Sequence, residues 1–204
     1  MNVRLKRVIG LTLGILAISI MSTSGALAYL GKDGSDNNSS NSAFDLKVGK
    51  AGQSEAFNMP NAAPGDSGQY VYHLENGGSK SGNLSINIPN ITNIAETIGK
   101  FADGSGDLGK STAMAFYLDL DASGDWSQGD IGLNADGGAY SYRSALQYST
   151  LDSYANTKWN TVTVLAAGNK LNLVALWSIP ATVGNEIQGD SVSFDISFTL
   201  TQAY

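Results

Sequence analysis

The sequence predicts an antiparallel β-sandwich with one or two short helices in its connections. Three observations carry that prediction: seven short segments with apolar residues at every second position, glycine-rich turn signals between them, and 24 glycines in 204 residues. Side chains of a strand alternate between its two faces, so a period of two marks a half-buried strand.

Residues 1–28 stand apart from the fold. Arg4, Lys6 and Arg7 precede an apolar run from Val8 to Met21, and Ala26-Leu27-Ala28 ends the segment as an A-x-A cleavage signal. The run is short for a membrane span, which needs about 20 apolar residues. A cleaved secretory signal is the expectation, with an uncleaved N-terminal anchor as the competing reading. The mature form is then extracellular or at the cell surface and does not span the membrane. "GKDGSDNNSSNS" (31–42) follows without an apolar residue; it buries too little to offset the entropy of ordering and reads as a flexible leader.

The strands then follow in order. "AFDLKVG" sets Phe44, Leu46 and Val48 on one face. "GQYVYHLEN" comes after the turn Pro64-Gly65-Asp66, and "NLSINIP" aligns Leu84, Ile86 and Ile88. "AMAFYLDLD" leads into an acidic stretch. "WNTVTVLA" and "KLNLVALWSIP" flank Ala167-Gly168-Asn169, which signals a hairpin. "DSVSFDISFTLTQA" places Val192, Phe194, Ile196, Phe198 and Leu200 on one side. Two segments depart from the period of two. "ITNIAETIGKF" spaces Ile91, Ile94, Ile98 and Phe101 as a helix would, and "SYRSALQYSTLDSYA" reads as a second short helix. Residues 49–204 form one sandwich domain on this reading, preceded by a leader at 29–48.

Composition narrows the function. The formal net charge is −6, and the signal segment holds three of the 12 basic residues and no acid, so the exported part is more acidic still. Such a surface repels phosphate backbones and disfavours nucleic acid as a partner, while divalent cations become natural ones. Cysteine is absent, so an exported fold without disulfides needs another source of stability.

The stretch "YLDLDASGDWSQGD" supplies one. Asp119, Asp121, Ser123, Asp125, Ser127 and Asp130 occupy positions 1, 3, 5, 7, 9 and 12 of a calcium-loop template, with Gly124 at position 6. Calcium takes six to eight hard oxygens at about 2.3–2.6 Å, which a tightly wound loop of alternating carboxylates can offer. Aspartate rather than glutamate at position 12 shortens the reach, and a strand in place of the first helix excludes an EF-hand. A solvated Asp/Gly turn is the competing reading. "ADGSGDLG", with Asp103 and Asp107, is a weaker candidate better read as an ordinary turn, and Asp136 in "NADGG" has no place assigned by sequence.

Catalysis finds little support. Crowding carboxylates into one loop favours a cation over acid–base division of labour. The lone histidine, His73, sits in an alternating strand with no H-E-x-x-H, and no G-x-S-x-G elbow occurs. No catalytic residue is assigned, and the chain is not expected to be an enzyme. The N-x-S/T triplets at Asn37, Asn38, Asn83 and Asn90 are glycosylation candidates or chance occurrences in an Asn/Ser-rich chain.

A set of motifs in order carries a family likeness: a signal ending "GALAYLG", then "AFDLKVG", then "FNMPNAAPGDSGQYVYHLENGGSKSGNLSI", and a close on "IQGDSVSFDISFTLTQ". Pro64-Gly65-Asp66, Leu74 to Ser79 and Gln188 to Gln202 stand where the motifs fall; the ends match better than the middle. This order resembles the TasA/camelysin family of exported fibre-forming proteins, similar in plan to archaeal bundling pili and calcium-dependent extracellular tubes. The resemblance implies a signal cut by a dedicated signal peptidase and a jelly-roll-like sandwich. It implies a homo-polymer joined head to tail by donor-strand complementation, as an extracellular filament or biofilm-matrix fibre. The metallopeptidase label given to camelysins is not carried over, since no zinc-ligand set is present. The donor would be the leading segment, with Tyr29, Leu30, Phe44, Leu46 and Val48 at the subunit interface; otherwise 43–48 is the first strand of its own sandwich. A monomeric secreted calcium-binding module for carbohydrate or another surface, stacking on Trp126, Trp159 or exposed tyrosines, is the alternative function.

Overall fold

The computed structural model describes residues 28–29, 46–48, 57–60, 62–96, 108–143 and 145–202. The residues of the signal segment up to 27 lie outside this set, as do Leu30, Phe44, Asn37, Asn38, Asp103 and Asp107. The protein is an all-β sandwich. Its strands are β1 (Ala28–Tyr29), β2 (Leu46–Val48), β3 (Phe57–Pro60), β4 (Ser67–Asn76), β5 (Gly82–Ile88), β6 (Ile91–Ile94), β7 (Ala113–Asp119) and β8 (Ile131–Leu133). They continue with β9 (Ala139–Ser141), β10 (Ser149–Thr150), β11 (Thr157–Leu165), β12 (Lys170–Ser178), β13 (Ser191–Phe194) and β14 (Ser197–Gln202). Among the described residues one short helix, α1 (Leu108–Ser111), and 3₁₀ turns at Leu151–Tyr154 and Asn185–Ile187 occupy connections.

One sheet runs β2-β4-β12-β7-β8-β9, with β10 alongside β7. A four-stranded sheet, β1-β14-β5-β11, and a three-stranded one, β3-β13-β6, pack against its inner face. The rings show the packing: Phe116 on β7 meets Trp159 on β11 (centroids 5.9 Å) and Phe194 on β13 (6.1 Å), while Tyr72 on β4 meets Phe198 on β14 (6.1 Å). All pairings are antiparallel except that of β1 with β14.

Alternation is kept where it was read. Leu84, Ile86 and Ile88 are fully buried on β5, and Tyr72 and Leu74 flank the exposed His73 on β4. The turn before β4 forms as its residues dictate. Gly65 takes φ +93°, and Asp66 Oδ2 accepts the Ala63 N–H at 2.8 Å.

Three expectations are corrected. Ala167-Gly168-Asn169 does not close a hairpin: β11 pairs with β5 and β12 with β4 and β7, so the turn crosses from one sheet to the other. The buried Asn76 fixes that crossing. Its main chain bonds Asn169 and Gly168, and its side-chain amide donates to the Leu165 and Lys80 carbonyls at 2.9 and 2.8 Å. Residues 91–94 are a strand rather than the start of a helix. Two isoleucines and a threonine suit β6, whose pairing with β13 overrides the helical spacing; Ile98 and Phe101 lie outside the described residues. The segment 141–155 yields only β10 and one 3₁₀ turn.

The closing stretch keeps one apolar face while changing sheets. Val192, Phe194, Ile196, Phe198 and Leu200 are all buried, yet β13 belongs to the three-stranded sheet and β14 to the four-stranded one. The break falls at Asp195, whose carboxyl is pushed above its ordinary range by burial.

Candidate functional site

The acidic stretch is the loop of a β-hairpin. Leu118 on β7 pairs with Ile131 on β8, and continuing that register by one step sets Asp119 opposite Asp130. Strand pairing, not a helix–loop–helix frame, thus brings positions 1 and 12 of the template together. Asp119, Asp121 and Asp130 each offer a carboxylate oxygen, and these oxygens lie within 4.8 Å of one another. Asp119 and Asp130 are buried while Asp121 is exposed.

Main-chain N–H groups wrap the two buried carboxylates. Asp119 Oδ1 accepts from Ser123 N (3.1 Å), and its Oδ2 accepts from Gly124 N (2.9 Å) and from Asn172 Nδ2 (3.0 Å). Asp130 Oδ1 accepts from Leu120 N (3.1 Å) and its Oδ2 from Ser127 N (2.7 Å). The winding needs left-handed backbone at Ala122 (φ +57°) and at Gly124 (φ +86°), and at the second of these glycine removes the strain. Ser123 holds Asp121 below the usual carboxylate range, through its side chain first and then its N–H.

The other template positions differ. Ser123 Oγ donates to the Asp125 carbonyl at 3.3 Å, and the Asp125 side chain stands exposed outside the three-carboxylate group. Ser127 Oγ is buried and makes no hydrogen bond. Asp136 caps its own turn through Gly138 N (2.8 Å) and is not part of the cluster.

Among the described residues no lysine or arginine pairs with the three aspartates; the ion pair on this sheet joins Lys170 Nζ to Glu75 Oε2 at 3.2 Å. With oxygens within 4.8 Å of one another, like charges on Asp119 and Asp130 repel by roughly 3 kcal/mol or more at an effective dielectric near 20. The three carboxylates could together hold a cation. Tyr117 responds to the same field. Burial first, then the charges of Asp119, Asp130 and Asp125, push its hydroxyl up to about 12, and that hydroxyl donates to the Gly124 carbonyl at 3.1 Å.

Asn172 is a part of the site that the template misses. Its only sequence signal is a polar residue inside the apolar run "KLNLVALW". On its other side His73 Nδ1 lies 2.7 Å from Asn172 Oδ1.

Beside the loop, Trp126 packs on Tyr117, Tyr140 and Tyr142 at centroid distances of 5.4, 6.0 and 5.1 Å. Tyr142 is exposed, and Trp126 is half-buried with its Nε1–H donated to the Arg143 carbonyl (3.0 Å). Trp159 is a core residue, 1% exposed and bonded to the Asn134 carbonyl, so it offers no stacking platform.

The described pieces of the leading segment join two of the three sheets. β2 pairs antiparallel with the end of β4 (Leu46 with Asn76, Val48 with Leu74), and Leu46 is buried. β1 pairs parallel with β14, Tyr29 opposite Thr199. Of the sequons within the described residues, Asn90 is exposed in the turn between β5 and β6, whereas the Asn83 amide donates to the Gln202 carbonyl in mid-sheet.

No helix among the described residues is long and apolar enough to cross a membrane. No family model matches the chain, and no curated protein matches it.

Proposed function

We propose that this chain is a secreted structural subunit that polymerises by donor-strand complementation into an extracellular filament or biofilm-matrix fibre of the TasA/camelysin kind, with calcium held by the acidic loop. One observation carries the reading. β4 is ten residues long, and β2 pairs on its outer side with its last three, Leu74 to Asn76. The opposing edge, β14, is covered by β1 across two residues. The two described pieces of the leading segment, β1 and β2, thus take the outermost places in two different sheets, beside β14 and beside β4. A place at the end of a sheet that is filled by a short leading strand can take the same strand from another chain. The same slots filled by the neighbouring subunit's leading segment give a head-to-tail polymer, with Leu46 as its buried anchor.

Calcium is supported by three convergent carboxylates without a basic partner, and by the buried Ser127 hydroxyl at position 9 of the template. In this reading Asp119, Asp121 and Asp130 supply the charge and the ion replaces their mutual repulsion with attraction. The loop then rigidifies the β7–β8 hairpin in a fold that has no disulfide.

Deleting residues 29–48 tests the polymer. Electron microscopy of the exported chain should show filaments and that of the truncated one should not; filaments that persist, or a full-length protein that stays single at every concentration, end the proposal. The alternative, a monomeric calcium-binding module for carbohydrate, draws on Trp126, Tyr140 and Tyr142 beside the loop. It predicts sugar binding that survives the same deletion.

A further inference from the structure

The acidic loop is tied to the only histidine of the chain by a row of side chains across three adjacent strands. Asn172 on β12 stands in register with His73 on β4 and with Asp119 on β7. The three therefore project from the same face of the sheet, the face away from the core residues Tyr72, Leu173 and Leu118. His73 Nδ1 lies 2.7 Å from Asn172 Oδ1, and Asn172 Nδ2 lies 3.0 Å from Asp119 Oδ2. Asn172 is 7% exposed and Asp119 fully buried, so neither amide nor carboxylate exchanges its partner for water at low cost.

The chemistry fixes the direction of the row. A carboxylate accepts only, so the Asn172 NH₂ must face Asp119 and its carbonyl must face His73. His73 then carries its proton on Nδ1 and donates it. A flipped amide would set an oxygen against the Asp119 carboxylate. The imidazole thus locks the amide, and the amide locks the carboxylate.

We infer that Asn172 is the positioning residue of the cation site and that His73 holds it in place, an inference that rests on the calcium reading of the loop. Outer partners that orient a ligating group commonly govern metal affinity by 10- to 100-fold. Here Asn172 and Gly124 N take both lone pairs of Asp119 Oδ2 and Ser123 N takes one of Oδ1, and the amide fixes the plane of the carboxylate, which sets where the remaining Oδ1 lone pair aims. The charged groups flanking His73 on this face are Glu75 on β4 and Lys170 on β12, already paired with each other. Lys47 on β2 stands in register with Glu75.

Calcium titration calorimetry on the full chain tests the row. Asn172→Ala should raise the calcium Kd about tenfold. His73→Ala, at an exposed position where the fold tolerates it, should raise Kd by a smaller factor, and His73→Gln, whose side-chain amide can donate to Asn172 Oδ1, should restore it. The double variant should bind no more weakly than Asn172→Ala alone, because both act through one bond. Unchanged affinity in both single variants, or strictly additive losses, overturns the row while leaving the calcium site intact. A full chain that binds no calcium removes the site and the row together.

Discussion

Tyr72 on β4 and Phe198 on β14 face each other across the interior with ring centroids 6.1 Å apart. Each ring stands one strand in from the end of its sheet, where the described pieces of the leading segment add the last strand, β2 beside β4 and β1 beside β14. A charge placed in that segment separates docking from folding. Leu46→Asp sets a carboxylate at a buried position, while the body of the sandwich is held by pairings that do not involve β2. Losing one buried leucine removes about 2–3 kcal/mol of burial, and the unpaired charge adds to the loss. The expected outcome is a protein with native circular dichroism that no longer assembles, checked by light scattering. Filaments of ordinary length from this variant would exclude Leu46 as the anchor.

Calcium removal should lower thermal stability. A ligand that binds only the folded state at 100 times its Kd adds about 2.7 kcal/mol, or roughly 5–10 °C for a chain of this size. Melting with and without chelator measures the shift. Asp119→Asn should abolish the calcium-dependent part and lower the calcium-free melting temperature too, because an NH₂ replaces one of the two oxygens that accept from Ser123 N, Gly124 N and Asn172 Nδ2 and sets donor against donor. A melting temperature indifferent to chelator would remove the calcium claim.

Tyr117 reports on the same loop. Its hydroxyl is pushed up to about 12 by burial and then by three aspartates, so the folded state keeps this proton where the unfolded chain gives it up. Stability is therefore unaffected below about pH 10 and falls as pH rises from 10 towards 12. Tyr154, pushed up to about 12 chiefly by burial, adds to the same alkaline loss. Calcium cancels the aspartate contribution at Tyr117 but not the burial, so ultraviolet titration should find this tyrosine lower with calcium and still above its ordinary value. Tyr117→Phe should abolish the calcium-sensitive component alone. A tyrosine titration identical with and without calcium would place the ion elsewhere.

The sequence reveals a strand best where burial is one-sided and local. β5 is legible because Leu84, Ile86 and Ile88 all face one interior. The turn at Ala167-Gly168-Asn169 is misleading because glycine at φ +75° serves a crossing between sheets as well as a hairpin, and the deciding contacts come from Asn76, ninety residues earlier in the chain. β6 is misread because its partner, β13, lies a hundred residues away. At the site, Asp119, Asp121 and Asp130 follow from spacing alone. Asn172 does not, since cross-strand register is a property of the fold, and Asp125 matches the template yet stands away from the other carboxylates. β8 and β9 are too short for their period to register.

Gly132, buried on β8, explains why the aromatic cover beside the loop is tight. A methyl group there would run into the Tyr140 ring, so the ring needs bare backbone beneath it. Tyr140 has little room to retreat: its hydroxyl accepts the Gln147 N–H at 2.9 Å and its other side meets Trp126. Gly132→Ala therefore overpacks the hairpin that carries Asp130, at a cost of about 1–3 kcal/mol. The displaced Trp126 should be visible as a change in tryptophan fluorescence, and the calcium Kd should rise because Asp130 shifts with its strand. Pairing Gly132→Ala with Tyr140→Ala should recover part of the affinity by opening space for the methyl group. Full calcium affinity in Gly132→Ala would show that the hairpin and the aromatic cover move independently of the carboxylates.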